Sequence, residues 1–515
     1  MGLNINHMDK IIVLDFGGQY CHLISRRIRD LGVFSEVLPA RTTASELEKI
    51  SGLKGIIFSG GGLSVFDKTS PKGHQNILEL GVPILGICYG HQVIAHLSGG
   101  IVTAGQAGEY GITKLKIKKR VSVLSSLKST EPVWMNHRDV VTKLASGYQT
   151  LASTNHCQIA AFGNVAKNIY GLQFHPEVTH TPHGQEILRN FALKICRAKK
   201  GWGVENVLTD LTQEIKQQIG TSRAVIGLSG GVDSSTAAIL VNQAIGKRLT
   251  AVYVDTGLMR YRETEFIEQV FKKYRLNLKI IRAGDQFFKA LKGVTDPEKK
   301  RKIIGRTFIE VFDRVAEKEK AKVLIQGTIY SDRIESGITQ YASTIKSHHN
   351  VGGLPKNMKL RVYEPLRDFY KDEVRNIAKK LGLPESIARR HVFPGPGLGI
   401  RIVGEVTPER AEIVRQASHI VEEEIAKAGL YNRVWMAFAV LLPIRNVGVE
   451  GDARSYKFPV VVRIVESKDA MTANFAKISY KILETISTRI TNEIKAVNRV
   501  VYDISNKPPA TMEWE

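Results

Sequence analysis

A cysteine in the first quarter of the chain has a sequence context suited to nucleophilic chemistry. Cys88 stands in the middle of GICYG (residues 86–90), between an apolar run and a helix-like segment. Glycines on both sides permit the sharp strand-to-helix turn that exposes a nucleophile to its substrate. The first turn of the following helix also favours the thiolate over the thiol. For a lone cysteine, a buried structural role is the alternative.

A histidine and a glutamate in the segment GLQFHPE (residues 171–177) could complete such a site. Alternate side chains of an extended segment share one face, so His175 and Glu177 would point the same way. His175 could take the cysteine proton while Glu177 orients the imidazole and stabilises its charged form. Considered alone, the segment could equally be a turn without catalytic function.

A glycine run, SGGG at residues 59–62, follows another apolar strand-like segment. Its backbone N–H groups could bind an oxyanion together with the N–H of Tyr89. One such donor contributes about 3 kcal/mol of transition-state stabilisation.

These three segments, in this order, resemble the class I glutamine amidotransferases over residues 10–195. The resemblance implies glutamine as the amide donor and a glutamyl thioester on Cys88. It also implies an oxyanion hole from Gly61 and Tyr89 and a glutamine contact from Gln92. Members of that family often have proline where this chain has Gly62, which predicts a more flexible loop here.

A second candidate site is the segment SGGVDSS, which lies between the apolar run AVIGL and a helix-like segment. Glycines at the start of a helix leave backbone N–H groups free to hold phosphate. The lysine of a Walker A loop is missing, and a Gly-Ser surface turn is the alternative. The predicted ATP-binding residues are Ser229, Gly230, Gly231, Val232, Asp233, Ser234 and Ser235.

SGGVDSS resembles the pyrophosphate loop of the N-type ATP pyrophosphatases. The resemblance implies that ATP is cleaved to AMP and pyrophosphate while a substrate oxygen is adenylylated. It also implies that VDTGL (residues 254–258) borders the adenosine pocket. We expect Mg²⁺ to accompany the ATP, with Asp233 as the first candidate ligand.

The two predicted chemistries complete one reaction, because ammonia released from glutamine can displace AMP from the activated oxygen. Five segments resemble the GMP synthases, a family that aminates the nucleotide XMP: residues 296–312, 345–355, 393–401, 439–456 and 498–515. The resemblance implies that XMP is bound by Arg306, Lys507 and Glu513, and that the C-terminal domain forms a homodimer. From the residues alone, Arg306 could be a helix-surface charge, and Lys507 and Glu513 could belong to a solvated tail.

Two other functions stay open from the sequence. One is a different amidotransferase-fed ATP pyrophosphatase, active in NAD synthesis or tRNA modification. We observe no CxxC pair of the thiolation type and no basic stripe with interleaved aromatic residues, which disfavours tRNA. The other is a non-catalytic binding protein, which the presence of Cys88, His175, Glu177 and SGGVDSS disfavours.

The 515 residues are too many for one hydrophobic core. Alternating strand-like and helix-like segments predict an α/β fold with two doubly wound parallel-sheet domains, residues 1–200 and 201–394. The first boundary lies in the basic stretch RAKKGWG (residues 197–203). Near Gly395 the pattern changes, which predicts a C-terminal α+β dimerisation domain over residues 395–515.

Composition favours a cytoplasmic enzyme of small molecules. The four cysteines form no CxxC pair, which suits a reducing compartment. We find no signal-peptide core near the first residue and no apolar run of about 20 residues, so neither secretion nor a membrane partner is expected. The net charge of +23 is spread along the chain, so we expect no nucleic-acid partner.

Overall fold

The computed structural model describes residues 8–330, 332, 360–467 and 472–515. The chain forms two compact units, Met1–Asp210 and Leu211–Glu515. The segment 345–355, one of those that resemble the GMP synthases, lies outside the described residues. The boundaries at 200/201 and 394/395 stay predictions about functional domains. None of the helices in the described ranges has the length and apolar character needed to cross a bilayer.

The first unit is organised around one large mixed sheet. Its strands are β1 (Lys10–Asp15), β2 (Phe34–Pro39), β3 (Leu53–Phe58), β4 (Ile84–Ile87), β5 (Ile101–Ile117), β6 (Thr130–Lys143), β7 (Gln149–Ser153), β8 (Ala161–Asn164) and β9 (Ile169–Leu172). Within the described residues they form a nine-stranded sheet in the order β2-β1-β3-β4-β9-β8-β7-β5-β6.

The helices of this unit cover both faces of the sheet. They are α1 (Cys21–Asp30), α2 (Ala44–Glu48), α3 (Tyr89–Leu97) and α4 (Gly184–Arg189), and α5 (Val204–Ile219) spans the division between the units. Strand β1 shows why both faces are apolar: Ile11 and Val13 pack in one core, whereas Ile12 and Leu14 pack in the other. A continuous apolar strand is typical of a sheet buried on both sides.

The direction of the strands differs partly from the prediction. Strands β2, β1, β3, β4 and β9 run parallel, as predicted for a doubly wound sheet. Beyond β9 the pairs β9-β8, β8-β7, β7-β5 and β5-β6 are antiparallel. The prediction of a parallel sheet is therefore wrong for this half of the first unit.

The second unit begins with the parallel sheet that the sequence predicted. Strands β10 (Ala224–Gly227), β11 (Leu249–Asp255), β12 (Asn277–Arg282), β13 (Val323–Ile325) and β14 (Arg361–Tyr363) form it. Their order is β12-β11-β10-β13-β14, with every neighbouring pair parallel. The associated helices are α6 (Val232–Ile245), α7 (Glu263–Lys272), α8 (Gly284–Leu291), α9 (Pro297–Lys318), α10 (Lys371–Lys380) and α11 (Glu385–Ala388).

The last part of the second unit has the predicted α+β character. It contains helices α12 (Pro408–Lys427) and α13 (Tyr480–Glu493) and strands β15 (Met436–Leu441), β16 (Asn446–Glu450), β17 (Ala453–Glu466), β18 (Asn474–Phe475) and β19 (Val497–Tyr502). Strand β17 pairs antiparallel with β15, β16 and β18 and parallel with β19. One hydrophobic core joins residues of both sheets, from Val225 to Val497.

Candidate active sites

Cys88 lies on a strained turn between β4 and α3. Its φ of 52° and ψ of −103° are unusual for a residue with a side chain, and such strain costs about 1–3 kcal/mol and clusters at functional sites. A Cβ on Gly86 would lie 2.4 Å from the carbonyl oxygen of Gly90. The two flanking glycines therefore permit the turn that presents the sulfur.

His175 and Glu177 form a tight buried pair beside this cysteine. His175 Nδ1 lies 2.7 Å from Glu177 Oε1, and within the described residues His175 Nε2 has no hydrogen-bond partner. A Cβ added to Gly60 would lie 3.3 Å from His175 Cε1 and 3.7 Å from Cys88 Cβ. The three predicted residues thus meet at one place, under the glycine run.

Glu177 favours the charged form of the His175 imidazole. Burial by itself lowers the pKa of His175, but the carboxylate of Glu177, followed by the sulfur of Cys88, outweighs burial and raises this pKa to about 10. The Thr181 hydroxyl donates to the His175 carbonyl at 2.7 Å and fixes the backbone. The pair therefore stabilises the imidazolium that forms when His175 takes a proton from Cys88.

The glycine run packs closely against the start of α3. A Cβ on Gly61 would lie 2.6 Å from the carbonyl oxygen of Phe16 and 3.0 Å from Tyr89 Cδ1, whereas Gly62 has nothing within 4 Å. Among the described residues, no backbone carbonyl accepts from the Gly61 N–H. Tyr89 is the first residue of α3, where N–H groups lack intrahelical acceptors.

Gln92, for which a glutamine contact was predicted, is engaged by the protein itself. Its Nε2 donates to the carbonyl of Asp139 at 2.9 Å and to Gln173 Oε1 at 3.2 Å. Gln173 Nε2 in turn donates to Cys88 Sγ at 3.9 Å. The thiol of Cys88 donates to the carbonyl of Asn136 at 3.5 Å.

Gln173 is a site residue that the sequence reasoning missed. It lies two positions before His175, so the alternation that pairs His175 with Glu177 would have placed Gln173 on the same face. The Asn136 and Asp139 carbonyls could not have been found in this way, because strand pairing in the antiparallel half of the sheet brings them to the cysteine.

The SGGVDSS segment forms the predicted turn between β10 and α6. Gly230 has a φ of 74°, and a Cβ there would lie 2.6 Å from Glu263 Oε1. The carboxylate of Glu263 forms a partly buried ion pair with Arg390. Ser229 Oγ and Ser234 Oγ lie 2.9 Å apart. The turn sits at the carboxyl end of a parallel sheet, where open α/β folds bind ligands.

Asp233, in the first turn of α6, forms an ion pair that the sequence did not predict. Its Oδ2 lies 2.5 Å from Lys371 Nζ at the start of α10, whereas its buried Oδ1 has no hydrogen-bond partner among the described residues. VDTGL also lies at this sheet edge: Asp255 Oδ1 accepts from the Gly257 N–H at 3.0 Å.

The three predicted XMP contacts lie in different settings. Arg306 on α9 is largely exposed and lies 3.6 Å from Glu310. Glu513 accepts two hydrogen bonds from the buried guanidinium of Arg401, at 3.0 and 2.8 Å. The backbone of Lys507 pairs with Ala473. The tail is therefore docked rather than solvated, and Arg306 makes its ion pair within its own helix instead of with the tail.

The final residues are held by further cations of the same unit. Arg463 Nη2 donates to the carbonyl of Thr511 at 2.7 Å, and Lys300, buried on α9, pairs with Glu515. The docking arginines and Lys300 were not singled out by sequence reasoning, because each lies far along the chain from its partner.

Three family models match the chain. "Glutamine amidotransferase class-I" matches residues 12–195, "NAD synthase" matches residues 204–310 and "GMP synthase C terminal domain" matches residues 423–514. The fold and the Cys-His-Glu site thus define a class I glutamine amidotransferase joined to an ATP pyrophosphatase, as predicted.

Relatives that match nearly the whole chain identify the family within this class. The chain is 50% identical over 506 residues to "GMP synthase [glutamine-hydrolyzing]" of Aquifex aeolicus, covering 98% of this chain and 99% of that protein. The protein of the same name from Symbiobacterium thermophilum is 50% identical over 510 residues, covering 98% and 99%. The chain belongs to the glutamine-hydrolysing GMP synthase family.

A solved crystal structure from Thermoplasma acidophilum is similar to part of the chain. It is described as that of a putative GMP synthase subunit. The match has 36% identity and a TM-score of 0.35, and it covers 37% of this chain and 95% of that chain.

Proposed function

We propose that this chain converts XMP, ATP, glutamine and water into GMP, AMP, pyrophosphate and glutamate. The observation that carries the proposal is that a Cys-His-Glu site and a pyrophosphate-type loop occur in one chain that is 50% identical to glutamine-hydrolysing GMP synthases over nearly its whole length. Neither site alone makes the nucleotide: one supplies ammonia, and the other activates the oxygen that ammonia replaces.

Glutamine hydrolysis uses Cys88, His175 and Glu177. The cysteine gives up its proton to His175, and the sulfur attacks the side-chain amide carbon of glutamine. The N–H groups of Gly61 and Tyr89 stabilise the oxyanion. The imidazolium then protonates the departing ammonia, and water hydrolyses the thioester to glutamate and the free thiol. Gln92 and Gln173 line the glutamine side of the cysteine.

This mechanism needs one local change from the described geometry. The thiol donates to the carbonyl of Asn136, so it must turn from that carbonyl toward His175 before the proton can move. A Cβ on Gly62 would meet nothing within 4 Å, so there is room for this end of the glycine run to move during the rearrangement.

Nucleotide activation uses the loop from Ser229 to Ser235. An oxygen of XMP attacks the α-phosphorus of ATP, the bond to the β-phosphate oxygen breaks, and pyrophosphate leaves into the loop. Ammonia then attacks the carbon that bears the adenylylated oxygen, and AMP departs with that oxygen. Lys371 lies beside the start of α6, where a cation can neutralise phosphate charge, and so replaces the missing Walker A lysine.

Magnesium fits this site through Asp233. The orphaned Oδ1 of Asp233 is an acceptor at the mouth of the phosphate loop, and Mg²⁺ is commonly held by one or two carboxylates together with phosphate oxygens. When bound with ATP, the ion neutralises phosphate charge. Lys371 holds the other oxygen of the carboxylate and so orients Oδ1.

We assign glutamine hydrolysis to residues 1–200, ATP activation to residues 201–394, and XMP binding with homodimer formation to residues 395–515. Arg306, Lys507 and Glu513 are proposed to contact XMP, Glu513 in an orientation fixed by Arg401. We also propose a cytoplasmic location. A sedimentation mass near twice the 57.2 kDa of one chain is expected for the homodimer, and a single-chain mass would exclude it.

The test is product formation with alternative acceptors. With ATP and glutamine, we expect XMP to give GMP and AMP in equal amounts, and neither the acidic NAD precursor nor bulk tRNA to stimulate AMP release. AMP release with either rival acceptor, and none with XMP, would overturn the proposed function.

A further inference from the structure

Two buried residues outside the catalytic triad, Glu109 and His137, lie close to the glutaminase site. Glu109 on β5 lies directly opposite His137 on β6. They are 5% and 6% exposed. Their Oε2 and Nε2 atoms lie 3.1 Å apart. Thr154 donates to the other carboxylate oxygen at 2.7 Å.

The second ring nitrogen of His137 contacts the part of β6 that lies beside Cys88. Its Nδ1 lies 3.1 Å from the carbonyl oxygen of Asp139. That same oxygen accepts from Gln92 Nε2 at 2.9 Å. Because a carbonyl only accepts, His137 Nδ1 must carry a proton, and two donors from different elements fix the orientation of this one peptide group.

Further hydrogen bonds lead from Gln92 and from Asn136 to the sulfur of Cys88. Gln92 leads through Gln173 to Cys88 Sγ. The sulfur donates to the carbonyl of Asn136, the residue before His137. Residues 136–139 of β6 therefore bring two backbone carbonyls to the site, and His137 contacts one of them directly.

The alternative of a metal centre does not fit these groups. Ligand atoms of Glu109, His137 and Cys157 lie within 4.8 Å of one another, but both carboxylate oxygens already accept hydrogen bonds. Burial raises the pKa of Cys157 to about 12, which disfavours the thiolate that a metal requires. The donors His137 and Thr154 outweigh burial and lower the pKa of Glu109, as expected for a hydrogen-bonded carboxylate.

We propose that Glu109 and His137 are positioning residues for glutamine hydrolysis: Glu109 orients His137, and the Nδ1–H of His137 holds residues 136–139 of β6 in the shape that binds glutamine beside Cys88. This inference rests on the proposed glutaminase. Neither residue is proposed to contact the reacting atoms, so substitution of either residue should change mainly the KM for glutamine.

Two substitutions of one residue separate positioning from general packing. In H137N the amide nitrogen takes the place of Nδ1 and keeps the donor to Asp139. In H137Q the amide nitrogen takes the place of Nε2 and keeps only the contact with Glu109. E109A removes the orienting group, and E109Q preserves its shape and a hydrogen bond to the ring.

The experiment measures glutamate release from glutamine by the full chain, with thermal unfolding and ammonia-dependent GMP formation as controls. We expect H137Q and E109A to raise the KM for glutamine about tenfold, the value of one buried hydrogen bond. H137N and E109Q should raise it less, and ammonia-dependent synthesis should persist in all four.

Equal defects in H137N and H137Q would overturn the inference, as would a wild-type KM in H137Q. Parallel loss of thermal stability and of ammonia-dependent synthesis would reduce the pair to a packing role and overturn it as well. Because glutamate release is read directly, a failure of XMP as substrate would count against the proposed function and leave this test intact.

Discussion

At the scale of single residues, the glutaminase site combines a strained backbone at Cys88 with the charged pair of His175 and Glu177. The two glycines of the turn permit the positive φ of Cys88, and the carboxylate of Glu177 stabilises the charged form of the neighbouring imidazole. These features are local, and the order of the motifs was sufficient to predict them. The hydrogen bonds that surround them, through Gln173 and the Asn136 carbonyl, depend on tertiary packing.

The charged state of His175 predicts the pH dependence of glutamine hydrolysis. The imidazolium donates the proton to ammonia, so activity persists below the His175 pKa of about 10 and falls as pH rises through it. In Glu177→Gln the carboxylate is lost, and the pKa falls toward or below the ordinary 6.5. We expect kcat/KM at pH 8 to fall by about thirtyfold. A pH–rate profile with an unchanged alkaline limb would contradict this.

Two neighbouring glycines of the run at residues 59–62, Gly61 and Gly62, allow a matched comparison of substitutions. Gly61→Ala would force a Cβ to 2.6 Å from the Phe16 carbonyl, whereas Gly62→Ala meets nothing within 4 Å. We expect the first variant to lose glutamine hydrolysis by about 100-fold, the value of one oxyanion donor, and the second to resemble the wild type. Steady-state kinetics on both would decide, and equal activities would remove Gly61 from the oxyanion hole.

At the scale of elements, two turns at strand ends carry the chemistry: β4 to α3 and β10 to α6. Both were predictable, because an apolar strand, a glycine-rich turn and a helix are adjacent in sequence. The antiparallel half of the first sheet was not, because three glycines interrupt β5, glycine is depleted in strands, and the pairing of β5 with β6 contains register shifts. The Asp233–Lys371 pair joins helices 138 positions apart, beyond the reach of any local pattern.

The phosphate turn serves a step common to both nitrogen donors. Asp233→Ala removes the carboxylate that orients Lys371 and, in our proposal, holds Mg²⁺. We expect GMP formation to vanish with glutamine and with ammonium salts, while glutamate release from glutamine continues. Substantial ammonia-dependent GMP formation by the variant would exclude this turn as the ATP site.

The docked C-terminal tail has its own test. Lys507→Ala should raise the KM for XMP by about tenfold or more, because a hydrogen bond to a charged group contributes roughly 1.5–3 kcal/mol. Lys477→Ala, an exposed lysine of the same part of the chain, should leave this KM unchanged. Equal KM values for XMP in the two variants would show that Lys507 does not contact the nucleotide.

At the scale of the whole molecule, the account divides one reaction between two compact units. The class of each unit followed from short motifs, and the choice of XMP followed from resemblance over the C-terminal half. The excess positive charge predicts no acceptor by itself, since it is not concentrated in a stripe. The composition of the tail favoured docking, but its partners could not be predicted, because buried Arg401 and Arg463 resemble surface cations in the sequence.

The central claim is that Cys88 activates only the amide donor, whereas the second unit activates the acceptor. The most direct measurement is GMP formation by Cys88→Ala, with glutamine and then with ammonium chloride at mildly alkaline pH. Glutamine-dependent synthesis should vanish, and ammonia-dependent synthesis should proceed near the wild-type rate with ATP converted to AMP. Glutamine-dependent turnover near wild type, or loss of ammonia-dependent synthesis in a protein still folded by circular dichroism, would contradict the account.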